Sequence, residues 1–265
     1  MLLTLSAGIS RVFTSRKRLP QVRFSGSRNS TMLLARLREE VLEANLELVR
    51  KGLVLYTFGN ASGIDREQGL VAIKPSGVPY EKLKPGDMVI TDLDGSIVDG
   101  DLRPSSDLAT HVLLYRHFPA IGGVAHTHSE FATSWAQAGK PIPCFGTTHA
   151  DYFHGPVPVT EHLSASEIDS DYEKNTGEAI CRAFKNVDAE SIPAVLVRGH
   201  GPFCWGPDVA AAAHNAVILE SVARMAFYTT ALDENAGPLL RPLHDKHFLR
   251  KHGSKAYYGQ TIEKK

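Results

Sequence analysis

The sequence predicts an α/β chain in which a central, mostly antiparallel sheet carries helices on both faces. Three observations lead there. Apolar residues at helical spacing alternate with short apolar runs, in the order helix, several strands, helix, strand, two helices, strand, helix. The early strands follow one another directly, separated by Gly, Pro and Asp, as antiparallel neighbours do. No low-complexity linker interrupts the chain after residue 32, and 265 residues suit one large domain.

Each element has its own warrant. Leu34, Leu37, Val41, Leu42, Leu46 and Val49 mark an amphipathic helix over 33–50, which Lys51-Gly52 stops. Short strands are expected near 53–57, 70–73, 87–91 and 96–98, with Asp94-Gly95 as the turn between the last two. A helix over 105–118 opens with Ser105 or Ser106 as N-cap. A strand over 121–126 and a helix over 129–138, ended by Gly139, come next. Ser164 and Glu167 form a capping box that opens a helical stretch to Phe184, with a break expected at Gly177. Ala194–Val197 reads as a buried strand, 208–232 as a long Ala-rich helix, and 240–252 as a shorter one.

Composition narrows the function. With 43% hydrophobic and 22% charged residues, the chain is no disordered polymer, fibre or disulfide scaffold. The formal net charge is zero, but residues 1–31 hold six of the 29 basic residues and none of the 29 acidic ones. The body therefore carries a net charge of −6 and has no electrostatic reason to bind nucleic acid. The leader, rich in Arg and Ser, has the composition of an organellar (mitochondrial) transit peptide. An upstream start codon before a native Met32 fits it equally, so 1–31 is set apart from a domain over 32–265. No run of 18 apolar residues occurs, which predicts no membrane span. Cys144, Cys181 and Cys204 are odd in number and far apart, as in a reducing compartment. No GxGxxG follows the first strand and no GxxxxGK[ST] occurs.

Chemistry concentrates in a few segments. In Gly122-Gly123-Val124-Ala125-His126-Thr127-His128, the two imidazoles stand two residues apart where a strand ends, and so share a side. That suits two ligands of one ion. His200, between Gly199 and Gly201, follows another buried strand, and Asp107 supplies a carboxylate at a helix start. Three imidazoles and one carboxylate match a divalent transition ion. The turns Gly59-Asn60, Lys74-Pro75-Ser76-Gly77 and Ser105-Ser106 are candidates to present backbone N–H groups to a small anion such as phosphate. Asp151, in an apparent loop, is a candidate acid/base, and the basic, aromatic stretch from Lys246 to Gln260 suits contact with a neighbouring subunit.

LEANLELV, FGNASGIDRE, IKPSGVPY, RPSSDLATH, IGGVAHTHS, FGTTHADYF, RGHGPFCWG, HNAVILE and DKHFLRKHGSKAYYGQ stand in this order over residues 33–260. Together they resemble the L-ribulose-5-phosphate 4-epimerases of the class II aldolase/adducin-like superfamily. The resemblance implies a three-layer α/β/α domain. It implies Asp107, His126, His128 and His200 as ligands of Zn2+, with Mn2+ as an alternative. Gly59, Asn60, Lys74, Ser76, Gly77, Ser105 and Ser106 would hold the phosphate and hydroxyls of a pentulose phosphate, and Asp151 and Tyr258 would carry protons. It implies a cytoplasmic homotetramer with active sites between subunits, and a place in sugar breakdown, most commonly L-arabinose catabolism, with L-ascorbate or L-xylulose routes as alternatives. The Asp at 107, where related aldolases carry Glu, points to the epimerase branch. The alternatives are a sugar-phosphate aldolase acting on a substrate such as L-fuculose 1-phosphate, and a non-catalytic adducin-head-like module, which would have lost the metal ligands.

Overall fold

The computed structural model describes residues 32–258, so the expectations for the leader and for Gly259 and Gln260 lie outside the described residues. Helix α1 (Ala35–Arg50) leads to strands β1 (Asn60–Asp65), β2 (Leu70–Ile73), β3 (Val89–Asp92) and β4 (Ile97–Asp99). Helix α2 (Leu108–His117), strand β5 (Gly123–His126) and helices α3 (Glu130–Ala138), α4 (Thr147–Ala150), α5 (Ala165–Asp169) and α6 (Tyr172–Ala183) follow. Strands β6 (Ala194–Val197) and β7 (Gly201–Gly206) precede helices α7 (Val209–Leu232) and α8 (Arg241–His252). The sheet runs β4-β3-β2-β1-β5-β7-β6, and every neighbouring pair is antiparallel.

Strand β1 shows how the layers form. Its side chains alternate between faces. Ser62 meets His111 Nδ1 (2.7 Å) and Tyr115 Oη (2.8 Å) of α2. Gly63 lies against Leu37 of α1 and Val209 of α7. Helices α1, α3 and α7 pack together, while α2 pairs with α6. This is the three-layer arrangement expected, around a core that includes Val41, Leu48, Val71, Leu114, Val124, Phe203 and Trp205. Among the described residues no helix is long and apolar enough to cross a membrane. The three cysteines are free and buried. Burial pushes the Cys144 thiol up to about 11, the Cys181 thiol to about 12, and Cys204 higher still.

Several boundaries differ from expectation. Residues 53–57 form no strand; the chain turns there, with Tyr56 left-handed at φ 53°. The strand is Asn60–Asp65 instead, in a stretch (NASGID) poor in strand-forming residues. Strand β7 was not expected either, because Pro202 lies in it. Pro202 sits beside the end of β5, where its carbonyl accepts the Thr127 N–H at 3.4 Å. Helix α2 begins at Leu108, so Ser105 and Ser106 precede its N-cap, Asp107. The helical break falls at Ser170-Asp171. Gly177 stays helical, and an added Cβ there would come within 3.2 Å of Leu113, so it serves the close approach of α6 to α2. Thr147–Ala150, expected as loop, is a helical turn. The Ser164–Glu167 capping box is present, and Asp208 caps α7 by accepting the Ala211 N–H at 2.7 Å.

The glycines before the histidine pair are set by the start of α7. A Cβ on Gly122 would lie 2.0 Å from Pro207 O, and one on Gly123 would lie 2.3 Å from Val209 Cα. Both obstacles are backbone, so nothing flexible yields. Gly123→Ala is expected to cost about 3 kcal/mol or more in urea unfolding. Gly146→Ala, where an added Cβ meets nothing within 4 Å, should stay within about 0.5 kcal/mol.

Candidate active site

The register of β1 with β5 places Asn60 opposite His126. Both side chains lie on the face that α2 covers, since Asn60 Nδ2 donates to Asp107 Oδ2 (2.6 Å) and Ser105 Oγ (3.0 Å). His128 follows on the same side. His200 arrives from the β6–β7 turn, where Gly199 adopts φ 74° and the His200 N–H returns to Val197 O at 3.0 Å. Gly201 is required by proximity, because a Cβ there would lie 2.7 Å from Thr127 O.

These turns bring three imidazoles to one point. One ligand nitrogen from each of His126, His128 and His200 lies within 4.8 Å of the others. The Nε2 atoms of His126 and His128 are 3.1 Å apart. Two ligands of a tetrahedral ion with bonds of about 2.0–2.1 Å would sit about 3.3 Å apart. His126 Nδ1–H donates to Pro202 O at 2.9 Å, which leaves Nε2 as the lone-pair nitrogen. His200 Nδ1 lies 3.4 Å from Tyr172 Oη. The donor set fits a divalent cation. Asp107 lines the same cavity, but its carboxylate lies outside the tight imidazole group and is engaged by Asn60.

The electrostatics agree with ligation. Burial pushes the His126 imidazolium down to about 3, against the opposing pull of Asp107 and with the help of His200 and His128. Burial lowers His128 and His200 in the same direction. All three are therefore neutral at pH 7, the form that binds metal. Burial works against the Asp107 carboxylate, yet His126, His111, the Asn60 hydrogen bond and His200 together hold it below its ordinary range. Asp107 occupies the N-cap of α2 without capping it by its side chain.

A cavity of about 370 Å³ joins this cluster to Gly59, Asn60, Lys74, Ser76, Gly77, Ser105 and Ser106. Eleven of the thirteen residues singled out in the sequence thus share one space. Their donors differ from expectation in one respect. The Ser76 N–H goes to Arg103 O (2.9 Å) and the Ser105 N–H to Lys74 O (3.0 Å), so neither backbone group is free for an anion. Among side chains, these residues offer the Ser76 and Ser106 hydroxyls and the Lys74 ammonium. Lys74 is 2% exposed, and burial alone pushes it down to about 8. Asn60 Oδ1 is buried without a partner among the described residues.

Thr57, Phe58, Tyr172 and Glu173 also line the cavity and were not singled out. Tyr172 and Glu173 reach it through the packing of α6 on α2, which no local pattern encodes. Asp151 and Tyr258 do not line it. Asp151 accepts from Arg250 Nη2 (2.8 Å) and His247 Nδ1 (3.0 Å) of α8. Partial burial opposes its charge, but Arg250, His247 and Lys251 hold the carboxyl below its ordinary range. Tyr258 lies against the same cations, its ring 4.6 Å from both Arg250 Cζ and Lys251 Nζ.

Residues 39–227 match the family described as Class II Aldolase and Adducin N-terminal domain. Two curated relatives, each an "L-ribulose-5-phosphate 4-epimerase UlaF", come from Salmonella paratyphi A and Salmonella typhi. Each is 52% identical over 227 residues, covering 86% of this chain and all of the relative. Among solved structures, an L-fuculose 1-phosphate aldolase superposes with TM-score 0.70 at 25% identity, covering 83% of this chain and 97% of that one. YgbL from Escherichia coli, a putative aldolase/epimerase/decarboxylase by its description, superposes with TM-score 0.65 at 24% identity, over 80% and 97% of the chains.

Two outcomes are expected. His126→Asn should lose divalent metal, read by elemental analysis after dialysis, while circular dichroism stays native. Sulfate, which does not titrate here, should bind about tenfold more weakly at pH 9 than at pH 7 as Lys74 loses its proton near pH 8. Lys74→Met should abolish that pH dependence in calorimetry.

Proposed function

We propose that this chain, which belongs to the class II aldolase and adducin N-terminal domain family, is a metal-dependent enzyme that interconverts L-ribulose 5-phosphate and D-xylulose 5-phosphate. The observation that carries the reading is the three-imidazole cluster in one cavity with Lys74 and the Ser76 and Ser106 hydroxyls. It supports a reaction that holds a phosphate at one end and stabilises negative charge at the other. The 52% identity to L-ribulose-5-phosphate 4-epimerases favours epimerisation over release of two products. An adducin-head-like, non-catalytic role predicted lost ligands, and all three imidazoles are in place.

The reaction changes only the configuration at C4. That carbon is not adjacent to the C2 carbonyl, so removing its hydrogen would yield no stabilised carbanion. Cleaving C3–C4 does. A base takes the C4 hydroxyl proton, the bond breaks, and its electrons pass into an enediolate of dihydroxyacetone while C4 becomes the aldehyde of glycolaldehyde phosphate. When bound, a divalent cation supplies Lewis-acid stabilisation of that charge. His126, His128 and His200 would hold it with Asp107, and zinc suits this donor set, as manganese does.

The other residues position and move protons. Lys74, Ser76, Gly77, Ser105 and Ser106 hold the phosphate while the aldehyde turns its other face, after which re-addition inverts C4. Gly59 lets the backbone approach, and Asn60 Oδ1, buried and unpaired, accepts a substrate hydroxyl. Asp151, kept ionised by Arg250 and His247, suits a base on one face. Tyr258 serves the other. Both lie outside their own chain's cavity, so these roles require a homotetramer in which each chain lends them to its neighbour. Cytoplasmic carbohydrate metabolism, through L-arabinose breakdown, is the setting proposed.

Incubation with L-ribulose 5-phosphate should yield D-xylulose 5-phosphate, and a chelator should stop it. Accumulation of free glycolaldehyde phosphate and dihydroxyacetone would mark an aldolase instead. Tyr258→Phe should lower turnover by about two to four orders of magnitude with metal content unchanged.

A further inference from the structure

We propose that Tyr80, which does not line the cavity, is a positioning residue that locks the two arms of the anion cradle together. The proposal rests on the reading of Lys74 and Gly59-Asn60 as that cradle. Tyr80 opens a single 3-10 turn, Tyr80–Lys82, and is 4% exposed. Its ring lies 4.7 Å from Lys74 Nζ. Its hydroxyl donates to Gly59 O at 2.9 Å and to Phe58 O at 3.1 Å. One side chain therefore touches the arm at 58–59 and the arm at 74.

Each arm needs outside support. The chain before Gly59 carries a left-handed Tyr56, and Leu55, Tyr56 and Phe58 are exposed, so the packing of these side chains fixes it poorly. Gly59 itself packs tightly, with room for a Cβ closed by His126 O at 2.9 Å. On the other arm, the Lys74 ammonium donates to Pro75 O at 3.2 Å, and no carboxylate of the described residues forms an ion pair with it. A carboxylate there would compete with an incoming phosphate. An aromatic face attracts the ammonium without neutralising it, so the charge stays available and the side chain stays in place.

Two variants separate the ring from the hydroxyl: Tyr80→Leu removes both, and Tyr80→Phe keeps the ring and its packing. Sulfate, as a competitive inhibitor of epimerisation at pH 7, is the probe. Tyr80→Leu should weaken sulfate inhibition and raise KM about tenfold, with kcat and metal content altered less than twofold. Tyr80→Phe should recover most of this, leaving about a threefold loss. In a Lys74→Met background the two variants should bind sulfate equally, because the ring has no ammonium left to hold. The same Leu-to-Phe difference in both backgrounds, or a fall in kcat with KM unchanged, would overturn the positioning role. Sulfate inhibition untouched by Lys74→Met alone would instead overturn the cradle reading beneath it.

Discussion

The pairing of Asn60 with His126 across β1 and β5 is the constraint on which the site depends. Strand register decides which side chains stand together on a face, and a slip of one residue would turn His126 away from α2. In the observed register Asn60 bridges the two halves of the cavity. Its amide reaches Ser105 and Asp107 at the head of α2, while its neighbour across the ladder is the innermost imidazole. Phe203 of β7 completes the row, stacked on His126 with ring centres 4.2 Å apart.

That register is held from the opposite face. Gly122 and Gly123 let the sheet come to backbone contact with Pro207–Val209 at the head of α7 and leave no room for a Cβ, while Gly63 packs against the side chains of Leu37, Val41 and Val209. Beneath the site, Ser62, His111 and Tyr115 form a buried polar chain that ties β1 to α2. The chemistry-bearing face and the packing face of these two strands are thus determined by the same alternation, which lets a histidine pair and a glycine pair share so short a segment.

Much of this was legible in the sequence. Helices α1, α3, α7 and α8 follow apolar spacing and cap residues to within a few positions, and the HxH at a strand end announces two imidazoles on one side. The two strands that were missed are β1, whose Asn60 lines the cavity, and β7, which begins directly after His200. Asn60, Gly63, Gly201 and Pro202 are there for proximity and chemistry, and they erase the alternation by which a strand is recognised. The backbone donors of Ser76 and Ser105 were misjudged for a related reason. The loops that bear them pair with each other through the Pro75–Pro104 bridge, a long-range contact that local turn patterns do not reveal. Tyr172 and Glu173 reach the cavity only because α6 lies on α2.

The burial of all three sulfurs has a bearing on the ion. Thiolate is the form that seizes soft divalent metals and reacts with oxidants, and a thiol whose proton is held this firmly supplies almost none of it at neutral pH. Cys204 lies one strand away from the imidazoles, opposite Ala125, yet remains an inert packing group. The nitrogen ligands therefore face no sulfur rival inside their own chain, and oxidative stress finds no ready handle from which to dismantle the centre.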